Sequence, residues 1–397
     1  MASPMVLDQA RPRTQWTATG ASTHADSWLA GAEAARKAFV GDDPKILIVF
    51  SSDTYDLAQL LAGVAGVAGT VPVIGCSTAG EISASGPETA GVVIMALGGP
   101  GFSVTTASSS ADGRGLREAS AEVATSLAHQ EPRASKVVML LSDGLGGDQQ
   151  EVVRGAHGVL GAQVPLIGGC AGDDLKMRRT FQFHGDAVLE NSIVGAAIAS
   201  EGPIGIGVQH GWRAVGEPML VTASRGNQVL ALDDQPALAA YLRRLDAPPA
   251  VQTDPEAFTR FAMTHPLGLS RRSGDEVRFV AGADFVEGSL NCIAALPQGS
   301  LAWIMEGDRD SVLAATDVAC EQALAALNGR PPIGLLAFDC IARKGVLGED
   351  GIIAEVGRIA EFAAGAPVAG FYTYGEIART RGVNGFHNQT LVVVAFG

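Results

Sequence analysis

Apolar residues fall in short continuous runs separated by segments of helix length. Three runs have the same sequel: Ile46-Leu47-Ile48-Val49-Phe50, Val137-Val138-Met139-Leu140-Leu141 and Ile333-Gly334-Leu335-Leu336-Ala337-Phe338. Runs this short and this apolar read as strands buried on both faces. A helix-length segment follows each, and then a second run that opens on proline. The first of these second runs is Val71-Pro72-Val73-Ile74-Gly75-Cys76-Ser77-Thr78-Ala79-Gly80-Glu81-Ile82, and the last is Pro367-Val368-Ala369-Gly370-Phe371-Tyr372-Thr373-Tyr374-Gly375-Glu376-Ile377. They align without a gap as Pro-Val-x-Gly-x-x-Thr-x-Gly-Glu-Ile. A looser copy, Val164-Pro165-Leu166-Ile167-Gly168-Gly169-Cys170-Ala171-Gly172-Asp173-Asp174, lies between them. The pattern predicts one strand-helix-strand unit used three times.

Other elements follow from the same periodicities. Trp28, Leu29, Ala32, Ala35 and Phe39 make an apolar face for a helix over 25–40, ended by Asp43-Pro44. Further helices are expected at 54–68, 116–129, 228–245 (restarting at Pro236), 254–263 and 310–328. Strands are expected at 91–97 and 102–107, joined in hairpin fashion by the Gly-Gly-Pro-Gly turn 98–101, and at 180–183, 192–199 and 205–209. A pair of short strands over 213–224 and strands at 276–281 and 300–306 follow. Thr390–Phe396 is too apolar for an exposed edge and is predicted in the middle of a sheet. Residues 1–22 are polar and read as a flexible tail. The pattern changes character near 225–229, which places a domain boundary at 228. The expected fold is α/β, with two related domains (23–228 and 229–397) of mixed sheets flanked by helices.

Composition narrows the function. The 397 residues carry 50 glycines and a net charge of -14. Such an acidic chain lacks the basic footprint of a nucleic-acid binder and is repelled by anionic lipid. No apolar run approaches the length of a membrane span, and the first residues lack a signal-peptide pattern. The five cysteines are scattered, odd in number and without a Cys-x-x-Cys, so neither a disulfide framework nor a metal site is indicated. A cytoplasmic protein is expected.

Candidate chemistry gathers at the glycine turns. In open α/β sheets ligands bind at the carboxyl ends of strands. There the first copy offers Cys76, Ser77, Thr78 and Glu81, and the third offers Thr373, Tyr374 and Glu376. Cys340 and Arg343 follow the first strand of the third unit, and His387 precedes the closing strand. Arg343 is suited to a carboxylate and Glu376 to an ammonium, so an amino-acid-like zwitterion is the expected ligand, held in a cleft flanked by Glu81 and Glu376. The structural alternative pairs Arg343 with Glu376, makes Cys340 a small buried hydrophobe and uses His387 in a turn. Two other readings stay open: Cys340 with His387 is a minimal thiol-hydrolase pair, and His210 is a candidate axial ligand for haem. Without a Cys-x-x-Cys-His, covalent haem is unsupported, and no cofactor is the leading expectation.

The glycine turns, His210-Gly211-Trp212, Val221-Thr222, Pro236-Ala237 with Tyr241, Phe338-Asp339-Cys340-Ile341-Ala342-Arg343, and Phe386-His387-Asn388-Gln389-Thr390-Leu391 together resemble the FIST family (F-box and intracellular signal transduction). The likeness covers nearly the whole chain beyond residue 22. It implies an N-terminal and a C-terminal FIST domain and a sensory role, with small ligands such as amino acids proposed. It also implies haem binding and a response to nitric oxide in some relatives. In many relatives the domains accompany signalling domains. This chain has no room for one, so a separate signalling partner is expected.

Overall fold

Each predicted unit builds one sheet, and all three sheets have the same strand order. The computed structural model describes residues 14–88, 90–129, 131–271, 274–380 and 385–397; residues 1–13 of the expected tail lie outside them. In the first unit an edge strand (Trp16–Ser22) leads through a helix (Ser27–Ala38) to a central strand (Pro44–Ser52). A second helix (Leu57–Ala68) returns the chain to a parallel strand (Val73–Thr78), a small hairpin follows (Glu81–Ser83 with Gly86–Glu88), and a return strand (Val92–Gly98) closes the unit. The second unit repeats this with Phe102–Ser110, Leu116–Leu127, Ser135–Ser142, Gln150–Leu160, Leu166–Cys170, the hairpin Gln182–His184 with Ala187–Leu189, and Ser192–Ser200. The third uses Ile204–Gln209, Arg309–Ala325, Gly334–Cys340, Ile341–Ala363, Val368–Thr373, the hairpin Glu376–Arg379 with Phe386–His387, and Leu391–Phe396. The α/β class, the mixed sheets and the repeated strand-helix-strand unit are as expected.

The hairpins are exchanged cyclically. The hairpin of the first unit pairs with strand Val368–Thr373 of the third; that of the third pairs with Leu166–Cys170 of the second; that of the second pairs with Val73–Thr78 of the first. The helices lie outside, and the inner faces of the three sheets meet in one core that includes Phe50, Phe338 and Phe371. Ring centroids there are 4.7–6.3 Å apart, within the range of favourable aromatic pairs.

The repeated Pro-Val-x-Gly motif has a direct cause in this packing. Gly75, Gly168 and Gly370 pair with Val49, Leu140 and Ala337 of the adjacent parallel strands. A Cβ at these glycines would lie 2.1, 1.9 and 2.1 Å from the carbonyl oxygens of those partners. Only glycine admits such an approach.

Between Gln209 and the helix Arg309–Ala325 the third unit carries an inserted module. Its eight-stranded sheet and its own core, built from residues 219–304, are separate from the central one. No helix among the described residues is long and apolar enough to cross a membrane.

Several local expectations are corrected. Residues 16–22 are not tail but an edge strand paired with Val92–Gly98. The turn 98–101 does not close a hairpin: Val92–Gly98 already has a strand on each side, so Phe102–Ser110 passes to the next sheet. Residues 213–225 form one strand with a register shift between Val215 and Met219, where Gly216 takes φ 69°. Residues 228–232 are strand, and the helix begins only at Ala237. Asp233 and Asp234 both have positive φ, the backbone of a tight two-residue turn. The closing strand does lie inside its sheet, between Ile204–Gln209 and Gly334–Cys340.

Candidate functional site

The three glycine turns meet. The Gly172 N–H donates to Ser77 O at 3.0 Å, and Ser77 Oγ donates to Gly172 O at 2.8 Å. Cys170 N–H reaches Gly375 O at 2.8 Å, and Tyr374 N–H reaches Cys170 O at 3.2 Å. Ala79 N–H donates to Tyr372 O at 3.0 Å, and Tyr372 N–H to Gly80 O at 2.8 Å. These contacts close a ring across the carboxyl ends of the central strands.

The first and third turns are built alike. Thr78 Oγ1 donates to Glu81 Oε1, and the Gly91 N–H donates to Glu81 Oε2 at 3.0 Å. Thr373 Oγ1 donates to Glu376 Oε1 at 2.5 Å, and the Thr390 N–H to Glu376 Oε2 at 3.2 Å. Burial raises both carboxyls to about 8, against the hydrogen bonds that favour the charged form. The second turn differs. Asp173 takes hydrogen bonds from Tyr374 Oη and from the N–H groups of Met177, Arg178 and Arg179. Despite burial these donors hold its carboxyl below the ordinary range.

This geometry corrects the expected cleft. The two Gly-Glu turns bond to each other directly, and Ser77, Thr78, Glu81, Thr373 and Glu376 are all buried. Tyr374 is buried too, its hydroxyl accepting from the Leu175 N–H at 2.6 Å. Arg343 is fully buried and does not hydrogen-bond Glu376. Its Nε donates to Asp339 Oδ1 at 2.7 Å and its Nη2 to Glu355 Oε1 and to Thr316 Oγ1 at 3.1 Å. Its Nη1 reaches His210 O at 3.1 Å. The guanidinium therefore ties two helices and a strand together and is not presented to a ligand.

The thiol-imidazole pair is also not assembled. Cys340 and Cys76 are buried, and loss of water raises both thiols well above their ordinary value. Glu376 lies beside Cys340 and adds to the rise of its thiol, whereas His387 Nε2 is 3.0 Å from Ala378 O. His210 Nδ1 accepts the Trp212 N–H at 3.0 Å and so closes a local turn. Among the described residues no group of three or more His, Cys, Asp or Glu side chains could hold a metal.

An open, charged cavity lies elsewhere, where the inserted module joins the third unit. It has a volume of about 410 Å³ and is lined by Arg213, Thr264, His265, Glu306, Asp308 and Ser311, among others. Arg213 begins one strand of the module and Glu306 ends its neighbour, so the ladder register sets them opposite each other. Arg213 Nη2 and Glu306 Oε2 are 3.9 Å apart, beyond hydrogen-bonding distance. Asp308 caps the following helix in a capping box with Ser311, and the Ser311 N–H holds its carboxyl below the ordinary range. His265 stacks on Phe261, and its Nδ1 is 2.8 Å from Phe261 O. Sequence reasoning missed this site because its members come from three separate segments. The only local signal was Asp308-x-x-Ser311 at a helix start.

An uncharacterized protein of Mycobacterium tuberculosis (strain CDC 1551 / Oshkosh) is 28% identical over 242 residues, which cover 58% of this chain and 60% of that protein. An uncharacterized protein of Mycobacterium bovis (strain ATCC BAA-935 / AF2122/97) is 25% identical over 241 residues, with the same coverage. The match thus spans less than two thirds of the length of these relatives. Among solved structures, cyanuric acid hydrolase from A. caulinodans aligns at 12% identity over 48% of this chain and 72% of its own, with a TM-score of 0.27. T. maritima PurL complexed with ADP aligns at 12% identity over 96% of this chain and 71% of its own, with a TM-score of 0.23. Neither likeness carries an argument at such scores. The FIST N domain model matches residues 45–235 and the FIST C domain model residues 237–379, and the chain belongs to the FIST family.

Proposed function

We propose that this protein is a sensor of an amino-acid-like zwitterion, which it binds in the cavity between the inserted module and the third unit, and that it reports to a separate protein partner in the cytoplasm. FIST domains are associated with ligand sensing and signal transduction. The observation that carries the reading is the loose pair of Arg213 and Glu306 beside a cavity of about 410 Å³. A guanidinium takes a carboxylate in bidentate fashion, and Glu306 with Asp308 supplies negative charge for an ammonium. The two free ends of an amino acid match that arrangement in sign and order. An exposed ion pair held at this distance contributes little to stability, so its partners are available to a ligand.

The test is a thermal-shift and calorimetric screen of the standard amino acids on the parent, Arg213→Ala and Glu306→Gln. A binding amino acid should raise the melting temperature of the parent. Both variants should lose that rise while melting within a few degrees of the parent, because an exposed pair is worth about 0–1 kcal/mol. Failure of every amino acid to bind the parent, or unchanged binding by both variants, would remove this reading.

A further inference from the structure

Behind the ring of turns lies a sealed ionic cluster. Asp339 lies at the end of the central strand Gly334–Cys340, Arg343 and Glu355 lie on either side of the break at Gly348 in the helix Ile341–Ala363, and Tyr372 comes from the neighbouring parallel strand; all four are buried. Arg343 holds one oxygen of each carboxyl, Asp339 Oδ1 and Glu355 Oε1. The other two, Asp339 Oδ2 and Glu355 Oε2, have no hydrogen-bond partner among the described residues, and neither has the Tyr372 hydroxyl. Two ionised carboxylates against one guanidinium would leave a net negative charge in a buried site. An uncompensated buried charge costs several kcal/mol, and an unsatisfied buried oxygen costs about 1–3 kcal/mol.

Among the described residues the surroundings offer no second cation. The groups that face the two acids are Arg343, Glu376 from the hairpin, Tyr372 from the parallel strand, Cys340 from the strand end and Cys320 from the helix Arg309–Ala325. Lys344 lies outside the cluster, over the Tyr372 ring at 5.1 Å, and donates to Ala79 O at 3.1 Å. Arg343 binds Asp339 through Nε and Glu355 through Nη2, so the two carboxyls sit side by side on one guanidinium, and as two anions they would repel.

We infer that Asp339 and Glu355 share one proton, held between Oδ2 and Oε2, and that this proton locks the long helix onto the central strand of the third unit. The proton comes from solvent and returns there when the pair ionises. With it in place, one carboxylic acid, one carboxylate and one guanidinium form a neutral cluster, and both orphaned carboxyl oxygens are used. Without it, the only bond between the two acids becomes a repulsion, and the clamp that Arg343 makes with Thr316 and His210 loses its anchor. The proton site is independent of any ligand in the Arg213–Glu306 cavity.

Infrared spectroscopy at about pH 10, about two units above the value of about 8 at which Glu81 and Glu376 titrate, tests this directly. The folded parent should show the carbonyl stretch of one protonated carboxyl per molecule. Glu355→Gln and Asp339→Asn should each abolish the band and still fold, because a side-chain amide can donate to the remaining carboxylate as the shared proton did. The parent should take up one more proton on folding than either variant. A parent without the band overturns the proposal. So does a melting temperature that rises when potassium or sodium chloride replaces tetramethylammonium chloride at equal ionic strength, since an alkali cation would then occupy the site. If both amide variants fail to fold, the band and the cation series in the parent still decide.

Discussion

Replacing Glu81 and Glu376 together with glutamine should flatten the pH dependence of stability from about pH 5 to about pH 9. Both carboxyls are buried, and both titrate at about 8 in the folded protein against an ordinary value of 4.5. Between those limits the folded chain holds protons that the unfolded chain has released. Stability from this source is therefore fully present below pH 4.5 and is lost as pH rises through 8. At about 1.36 kcal/mol for each pH unit, the loss is on the order of 5 kcal/mol for each carboxyl. Domains are commonly stable by only about 5–15 kcal/mol, so an effect of even half that size is measurable. Glutamine reproduces the protonated acid at each position. Its amide nitrogen can donate to Thr78 or Thr373, and its oxygen can accept the N–H of Gly91 or Thr390.

The assay is guanidinium unfolding of the parent and the double variant at steps across that range. The parent should lose stability steadily toward alkaline pH. The double variant should match it at the acid end, exceed it at the alkaline end, and keep only the dependence contributed by other groups. A parent whose stability is level from pH about 5 to about 8.5, or a double variant no more stable than the parent at the alkaline end, would refute the assignment of neutral acids to the two turns.

Other expectations follow from the same architecture. Gly75→Ala, Gly168→Ala and Gly370→Ala each set a Cβ 1.9–2.1 Å from a partner carbonyl and should cost more than about 4 kcal/mol. Gly158→Ala, on an exposed helix face with open space around it, should gain up to about 1 kcal/mol; chemical denaturation compares the four. Arg343→Ala should cost about 3–5 kcal/mol by stranding two buried acids, and Arg343→Lys should not restore it, because one ammonium cannot replace the fork. Thermal melts that leave Arg343→Ala within a degree or two of the parent would show that the network is not structural. A fragment ending at residue 235 should fail to give dispersed amide resonances. It lacks the strands that pair with Ile204–Gln209 and with the first hairpin.

The repeat was legible because each copy preserves residues that the same geometry demands. Pro-Val-x-Gly shows a strand that opens without a ladder bond and then meets a neighbour at close range, although the sequence does not say which carbonyl the glycine faces. Sheet membership was not legible. The turn 98–101 has the residues of a hairpin, yet both edges of the strand before it are filled by segments distant in sequence. The run Val229-Leu230-Ala231-Leu232 is short and apolar enough for helix or strand, and only the left-handed backbone at Asp233 and Asp234 decides it. Arg343 does bind carboxylates, as its chemistry suggests, but those of Asp339 and Glu355. Asp339, four residues earlier, was in view; Glu355, twelve later on the same helix, reaches it only because the helix bends at Gly348, with φ 66°.

The exchanged hairpins bear on how a sensor of this build could report. The two segments matched by the FIST models are not separable bodies, because every central sheet is completed by a hairpin from another unit. A signal cannot then consist of one half moving against the other without breaking sheets. The inserted module is the part with its own sheet and its own core. Its two chain crossings, near 210–213 and 306–309, run along the cavity that contains Arg213, Glu306, Asp308 and Ser311. Val277, Ala294 and Met305 of the module pack in the same cluster as Trp212 and Val312 of the body, Gln389 Nε2 donates to Met263 O at 2.7 Å, and Trp212 Nε1 donates to Gln389 O at 3.1 Å. A ligand bridging Arg213 on the module to Asp308 at the start of the body's helix would set the angle between them. A partner that reads the module's surface would then register the ligand while the central sheets stay intact.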